Sequence, residues 1–108
     1  MADLDKLNEL EIQFNKDLIA RYQVAQTKCG FNPTRLIQAI ERWGGLATAK
    51  ELIKKRKLSD GFSALEAKAR LDLTMESTVI DKKFTQLFTD DEVNYCFEVL
   101  CESGYYQN

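Results

Sequence analysis

The chain has 108 residues, 44% hydrophobic and 30% charged, which is typical of one globular domain with its own core. Its 15 basic and 17 acidic residues give a net charge of −2 and hence no overall attraction to nucleic acid or to an anionic membrane. The absence of histidine excludes Ser-His-Asp and Cys-His nucleophilic arrangements.

The first predicted helix is the longest and covers residues 3–29. Asp17 and Arg21 stand four residues apart and are placed to form an ion pair on it. Ile12 and Ile19 lie off its main apolar stripe, one heptad apart, and so add apolar surface on another side of the helix. The main stripe is about 120° wide. It contains Leu4, Leu7, Leu10, Phe14, Leu18, Tyr22, Ala25 and Cys29.

Two further helices are predicted over residues 33–43 and 46–57. Asn32 is a candidate cap for the first of them because its side chain can accept orphan backbone N–H groups, and Pro33 suits the first helical position. Gly44 and Gly45 separate the two helices, as glycine tolerates the left-handed conformation that closes a helix.

The second half of the chain is also predicted to be helical. The Ser59-Asp60-Gly61 turn is followed by a short helix over 62–70, and Thr74 opens another. The last helix, 90–103, begins with a Thr89/Glu92 capping box. Its inward stripe is assigned to Val93, Cys96, Phe97 and Leu100, whereas Tyr95 and Val99 lie off that stripe.

These patterns predict an all-α fold, a compact single-domain bundle of five or six helices over residues 1–108. A long N-terminal helix precedes a helical core over about 32–104. The predicted core consists of Phe14, Leu18, Tyr22, Leu36, Ile40, Trp43, Leu52, Phe62, Val93, Phe97 and Leu100.

The three cysteines are predicted to be reduced. An odd number at irregular spacing is not a disulfide framework. Cys96 and Cys101 are about 140° apart on a helix and cannot easily bridge. Free thiols and an N-terminus without signal-peptide character favour a cytoplasmic location. No Cys-x-x-Cys pair is present, so neither a metal nor a cofactor is expected.

Two charged segments are candidate sites. The run of Lys54, Lys55, Arg56 and Lys57 is the candidate nucleic-acid contact, although its cations point all around a helix and such runs usually form solvated surface. Arg70, Asp72 and Glu76 form either a binding site or a structural corner in which Thr74 caps a helix; caps require these residue types, which favours the corner.

Residues 28–106 resemble a family of small, largely uncharacterised bacterial proteins, which implies a small helical protein but no reaction or ligand. The resemblance rests on residues 28–32, Thr34-Arg35, Gly44-Gly45, Ala49-Lys50, 59–62, 70–74 with Glu76, Leu87-Phe88-Thr89 with Glu92, and Gly104-Tyr105. A weaker similarity links residues 39–52 to the first two helices of a Fis-type helix-turn-helix, which implies a recognition helix over 62–70. That segment carries only Lys68 and Arg70 as base-reading cations.

We expect a non-enzymatic interaction protein, a regulatory or accessory subunit or an inhibitor that docks on another protein or on a second copy of itself. A Fis-like DNA-binding regulator is the alternative, and a membrane partner is not expected. The surplus apolar side chains are equally well explained by helices packed on two sides. The predicted partner-binding residues are Ile12, Ile19, Tyr95, Val99, Tyr105 and Tyr106.

Overall fold

The fold consists of six α-helices in a computed structural model that describes residues 2–30 and 32–105, with side chains from residue 7 onward. Two 3₁₀ turns, Leu71–Leu73 and Thr85–Leu87, connect the later helices. No strand occurs within the described ranges, which confirms the predicted all-α class. The helices are α1 Ala2–Cys29, α2 Thr34–Trp43, α3 Gly45–Lys54, α4 Phe62–Ala67, α5 Met75–Val79 and α6 Asp90–Glu102.

The core is built on the predicted stripe of α1. Phe14, Leu18, Tyr22 and Ala25 are all fully buried there. The Phe14 ring makes edge-on contacts with the rings of Phe84 and Phe88, with ring centroids 5.3 and 5.4 Å away. These partners come from the connection between α5 and α6, so the long helix serves as the surface on which the second half of the chain packs.

α1 also fixes the start of α3. The Asn15 side chain accepts a hydrogen bond from the Gly45 N–H at 2.7 Å. A Cβ at Gly45 would lie 3.3 Å from the Asn15 Cα, so only glycine allows this approach without a shift. Because the pair is separated by 30 residues, it could not be predicted from local patterns.

Two of the three predicted helix starts are confirmed. Thr74 caps α5 by accepting from the Ser77 N–H, and Thr89 and Glu92 form both hydrogen bonds of a capping box on α6. Each cap satisfies backbone donors that the helix leaves without partners.

The third predicted start is wrong in detail. α2 begins at Thr34, and Pro33 occupies the cap position without a side-chain hydrogen bond. The Asn32 side-chain oxygen Oδ1 instead accepts a hydrogen bond from the Gln26 side-chain amide at 3.0 Å, which ties the end of α1 to the connection that follows it.

α3 ends at Lys54, three residues before its predicted end. The Arg56 N–H bonds back to Ile53 and the Lys57 N–H to Leu52, the two bonds of a Schellman ending. Arg56 sits in the left-handed region with φ of 55°, a position usually held by glycine. Residues 52–57 contain no glycine, so the local sequence does not indicate this ending.

α4 likewise ends at Ala67 instead of 70, with Ala69 at φ of 58°. The reason is the same: the Ala69 and Arg70 N–H groups turn back to Glu66 and Leu65 in a second Schellman ending that lacks glycine.

Two residues predicted to be core are exposed instead: Trp43 is 68% and Phe97 47% exposed. Trp43 is the last residue of α2, where the neighbouring helices no longer cover the stripe. On α6 the buried arc is rotated toward Tyr95 and Val99, which pack against the core, and Phe97 lies beyond its edge. Leu52 and Val93 are partly buried, and the other seven predicted core residues are buried.

Candidate functional site

An apolar groove lies between α2 and α3. It has a volume of about 670 Å³ and is partly open to solvent. The two helices join through the single residue Gly44, whose φ of 88° makes the sharp turn between them, and they pack against each other. The apolar side chains that line the groove are Leu36, Ala39, Trp43, Ala47, Leu52 and Leu58.

Two large apolar side chains of the groove are exposed. Trp43 is 68% exposed and Leu58 is 46% exposed. The Arg42 guanidinium lies 5.8 Å from the centre of the Trp43 ring, a cation–π contact that covers only part of the indole. The rest of the groove surface is available to a second molecule.

Charges of both signs surround the groove. Arg35 from α2, Glu51 from α3 and Asp60 from the following loop contribute to its lining. Glu51 also pairs with Lys55 at 3.1 Å on the exposed side of α3. The groove therefore presents no uniform field of either sign.

Residues 55–61, here called the strap, connect α3 to α4 and contribute Leu58 and Asp60 to the groove. Ser59 attaches the strap to α5: its N–H donates to Glu76 Oε2 at 2.8 Å and its hydroxyl donates to Glu76 Oε1 at 2.6 Å. Glu76 is completely buried. Burial raises the pKa of this carboxyl, and the two hydrogen bonds from Ser59 oppose that rise.

Beneath this pair, Tyr22 connects α1 to α5. Its hydroxyl oxygen accepts a hydrogen bond from the Met75 N–H at 2.9 Å. Burial, followed by the nearby Glu76 carboxylate, raises the pKa of the Tyr22 hydroxyl well above its usual value. Tyr22 is therefore a neutral phenol that lies next to the contact between Ser59 and Glu76.

The predicted cluster of Arg70, Asp72 and Glu76 does not form one site. Arg70 donates to both carboxylate oxygens of Asp72 at 3.0 and 3.2 Å, and this pairing lowers the Asp72 pKa. Glu76 is buried against Ser59. The Asp72 carbonyl accepts from Arg21 at 2.7 Å, and Arg21 also forms the predicted ion pair with Asp17 at 3.3 Å. The contact between Arg21 and Asp72 ties α1 to the 3₁₀ turn Leu71–Leu73 and favours the structural-corner interpretation.

The candidate nucleic-acid run divides between two elements. Lys54 ends α3, whereas Lys55, Arg56 and Lys57 belong to the strap. All four residues are exposed, and the Arg56 guanidinium lies over the Tyr95 ring at 4.7 Å. The run is therefore not one face of a helix, in line with the solvated-surface interpretation.

The predicted partner-binding residues do not share one environment. Ile12 is 56% exposed and Tyr105 37% exposed, whereas Ile19, Tyr95 and Val99 are partly buried against the domain's own core. Tyr106 lies outside the described residues. Part of the surplus apolar surface thus serves internal packing, and these residues stay a prediction as a partner surface.

The groove is not predictable from the sequence, because the spacing of Trp43 predicts burial in the core and no local pattern indicates a role for Leu58. A tryptophan at the last position of a short helix has the correct periodicity for burial, yet the neighbouring helix must extend far enough to cover it. The signal that could have raised the question is the glycine pair directly after Trp43, which turns the chain at that point.

The three cysteine thiols do not lie together as ligands for a metal ion. Cys29, Cys96 and Cys101 are free, and burial raises the pKa of the Cys96 thiol to about 12. Within the described ranges, no three cysteine or acidic side chains are grouped to hold a metal ion.

The same part of the chain contains no helix with the length and apolar character needed to cross a bilayer.

Comparisons with known proteins found no matching family model, no matching curated protein and no matching solved structure. The resemblance to the small bacterial family and the similarity to the Fis-type module therefore stay predictions, and the groove must be interpreted from its own chemistry.

Proposed function

We propose that this protein is a non-enzymatic docking protein that binds a helical segment of another protein in the groove between α2 and α3. The observation that carries the proposal is the exposure of Trp43 beside Leu58, above an apolar floor. Burying a large apolar side chain contributes about 1.5–3 kcal/mol, and tryptophan is enriched among the residues that dominate protein interfaces.

The charges around the groove favour a polypeptide as the occupant. A nucleic acid or an anionic membrane presents one sign of charge and is attracted by a basic surface. Here Glu51 and Asp60 accompany Arg35, so a polyanion meets repulsion as well as attraction. A protein segment can place a basic residue near the two carboxylates and an acidic residue near the arginine.

The shape of the groove favours a helix. Two neighbouring helices present parallel rows of side chains, and a third helix packs its own row into the channel between them. An amphipathic segment with apolar residues three and four positions apart supplies such a row. Trp43 and Leu58, the two exposed large apolar side chains of the groove, then contact the apolar row of the bound helix.

A Fis-like DNA-binding role is the second candidate, favoured by the tight α2–Gly44–α3 turn and by the exposed run of Lys54–Lys57. Its expected recognition helix is short, since α4 ends at Ala67 and Arg70 lies beyond it, paired with Asp72. Protein docking therefore uses more of the observed surface than DNA binding does.

The test is affinity capture from a lysate of the native host with wild-type protein, Trp43→Glu and Ile12→Glu, each with and without nuclease. Both substitutions place a charge at an exposed apolar position, so both proteins should keep their circular dichroism spectrum. The proposal predicts that one protein is retained by wild type and Ile12→Glu and lost with Trp43→Glu, regardless of nuclease.

Loss with Ile12→Glu instead would move the interface to α1. Loss on nuclease treatment would favour the DNA-binding alternative. Equal retention by all three proteins would contradict a role for the groove.

A further inference from the structure

The strap joins α3 to α4 through two residues with left-handed backbone conformation. Its left-handed residues, Arg56 at φ of 55° and Gly61 at φ of 83°, lie near its two ends. Among residues 55–61, all of which the structure describes, Ser59 is the one buried residue. Leu58 directly precedes Ser59, so its position in the groove is coupled to the buried contact between Ser59 and Glu76. Lys55 and Arg56 hold the other end of the strap through Glu51 and Tyr95.

That contact is an unusual anchor because the carboxylate lacks a cationic partner. The ionisable groups that face Glu76 are Tyr22 from α1 and Tyr95 and Cys96 from α6, and burial raises the pKa of all three. A cation, Arg56, acts on Tyr95 and Cys96 from its place in the strap.

The remaining charge near the cluster comes from the strap itself. Asp60 follows Ser59 and adds a negative charge that acts on the Tyr22 hydroxyl. A negatively charged Glu76 in the closed arrangement is thus surrounded by neutral groups and a second carboxylate, with hydrogen bonds from Ser59 as its main compensation. Opening the strap would admit water to the carboxylate and relieve this cost.

We propose that the strap is a movable wall of the groove and that its closure is coupled to protonation of Glu76, so that the closed, docking-competent groove is favoured as the pH falls. This inference rests on the proposed docking function, because it describes how that same groove is regulated. No further group is required, since Glu76 takes its proton from solvent.

The direction of the pH dependence follows from the raised pKa of Glu76. Burial raises the pKa of Glu76 in the closed form above its ordinary value of 4.5, and an open strap returns it toward that value. The stabilisation of the closed strap by protonation is therefore fully present below the lower pKa and is lost once the pH has risen through the higher one. Between the two values the closing equilibrium falls about tenfold per pH unit.

Amide hydrogen exchange of the isolated protein tests the strap directly. Exchange of residues 55–61 is measured from pH 4.5 to 7.5 in wild type and in Glu76→Gln, and each rate is divided by the intrinsic rate at that pH. Glutamine keeps the shape of the side chain and can still accept from the Ser59 N–H, but it does not ionise. We expect wild-type protection of the strap to fall more than threefold while Glu76→Gln stays flat, with α6 unchanged in both.

The response of the groove is measured with Trp43, the one tryptophan of the chain. Its emission should shift with pH in wild type and not in Glu76→Gln, because Leu58 leaves the groove when the strap opens. Matching pH profiles in the two proteins, by exchange or by emission, would overturn the proposal. So would a loss of protection that includes α6, since this indicates global unfolding.

A second variant covers the case in which Glu76→Gln does not fold. Ser59→Ala removes the hydroxyl donor and keeps the N–H, so strap exchange should rise several-fold at every pH; unchanged exchange would overturn the proposal. Because these measurements use the isolated protein, their failure leaves the capture test with Trp43→Glu unaffected. The converse also holds: failure of docking leaves the strap measurements valid.

Discussion

The hydroxyl of Tyr22 gives the sharpest test of how the core supports the groove. Tyr22→Phe removes one oxygen atom and leaves the ring in place, so the change in packing volume is small. It also removes the acceptor of the Met75 N–H, and Met75 is fully buried. A buried donor without a partner costs about 1–3 kcal/mol.

The expected loss of about 2 kcal/mol corresponds to a fall in Tm of about 8 °C, at about 4 °C per kcal/mol for a domain of this size. Circular dichroism during urea unfolding measures the free energy directly, and the slope with denaturant should not change. The matched control is Tyr95→Phe, the same chemical change at a partly buried ring where water reaches the site; it should cost less than about 0.5 kcal/mol. Equal effects of the two substitutions would refute the role assigned to the Tyr22 hydroxyl.

Three further predictions concern helix ends and thiols. Ala69→Gly should raise the free energy of unfolding by about 0.5–1 kcal/mol in urea unfolding, because Ala69 is exposed at φ of 58° and glycine relieves its strain; a decrease would show that the left-handed ending is not strained. Asn15→Ala should lower it by about 1 kcal/mol in the same assay through loss of the bond to the start of α3, and no change would show that this bond contributes nothing. In the native protein at pH 8, a chromogenic disulfide reagent that titrates thiols should react with Cys29 and Cys101, and with Cys96 only after denaturation. Fast reaction of all three thiols would contradict the burial of Cys96.

The sequence predicts those parts of the fold that depend on neighbours along the chain. Thr74 and Thr89 cap their helices because a hydroxyl three residues before an N–H can reach it. The α1 stripe is predicted by spacing alone, and its central residues Phe14, Leu18 and Tyr22 are fully buried. Helix endings with a glycine, such as Gly44 after α2 and Gly104 after α6, are also predictable from the sequence. The endings at Arg56 and Ala69 are not, because these residue types rarely adopt the left-handed conformation.

The candidate site was not predicted, because it depends on contacts between distant segments. Glu76 satisfies the local preference for an acid in the first turn of a helix, and this conceals its pairing with Ser59, 17 residues earlier. Trp43 has the periodicity of a core residue, and whether it is covered depends on the length of the adjoining helix. On α6, choosing Phe97 instead of Tyr95 and Val99 for the inner face placed the buried arc on the wrong side.

The most direct test of the docking groove is hydroxyl-radical footprinting of Trp43, read by mass spectrometry, in the free protein and with the protein retained in the capture experiment. Trp43 should react quickly in the free protein, since 68% of it is exposed, and several-fold more slowly in the complex. Ile12, which is 56% exposed on α1, should react equally in both states. Unchanged reactivity of Trp43 together with protection of Ile12 would show that the partner covers another face and would contradict the account.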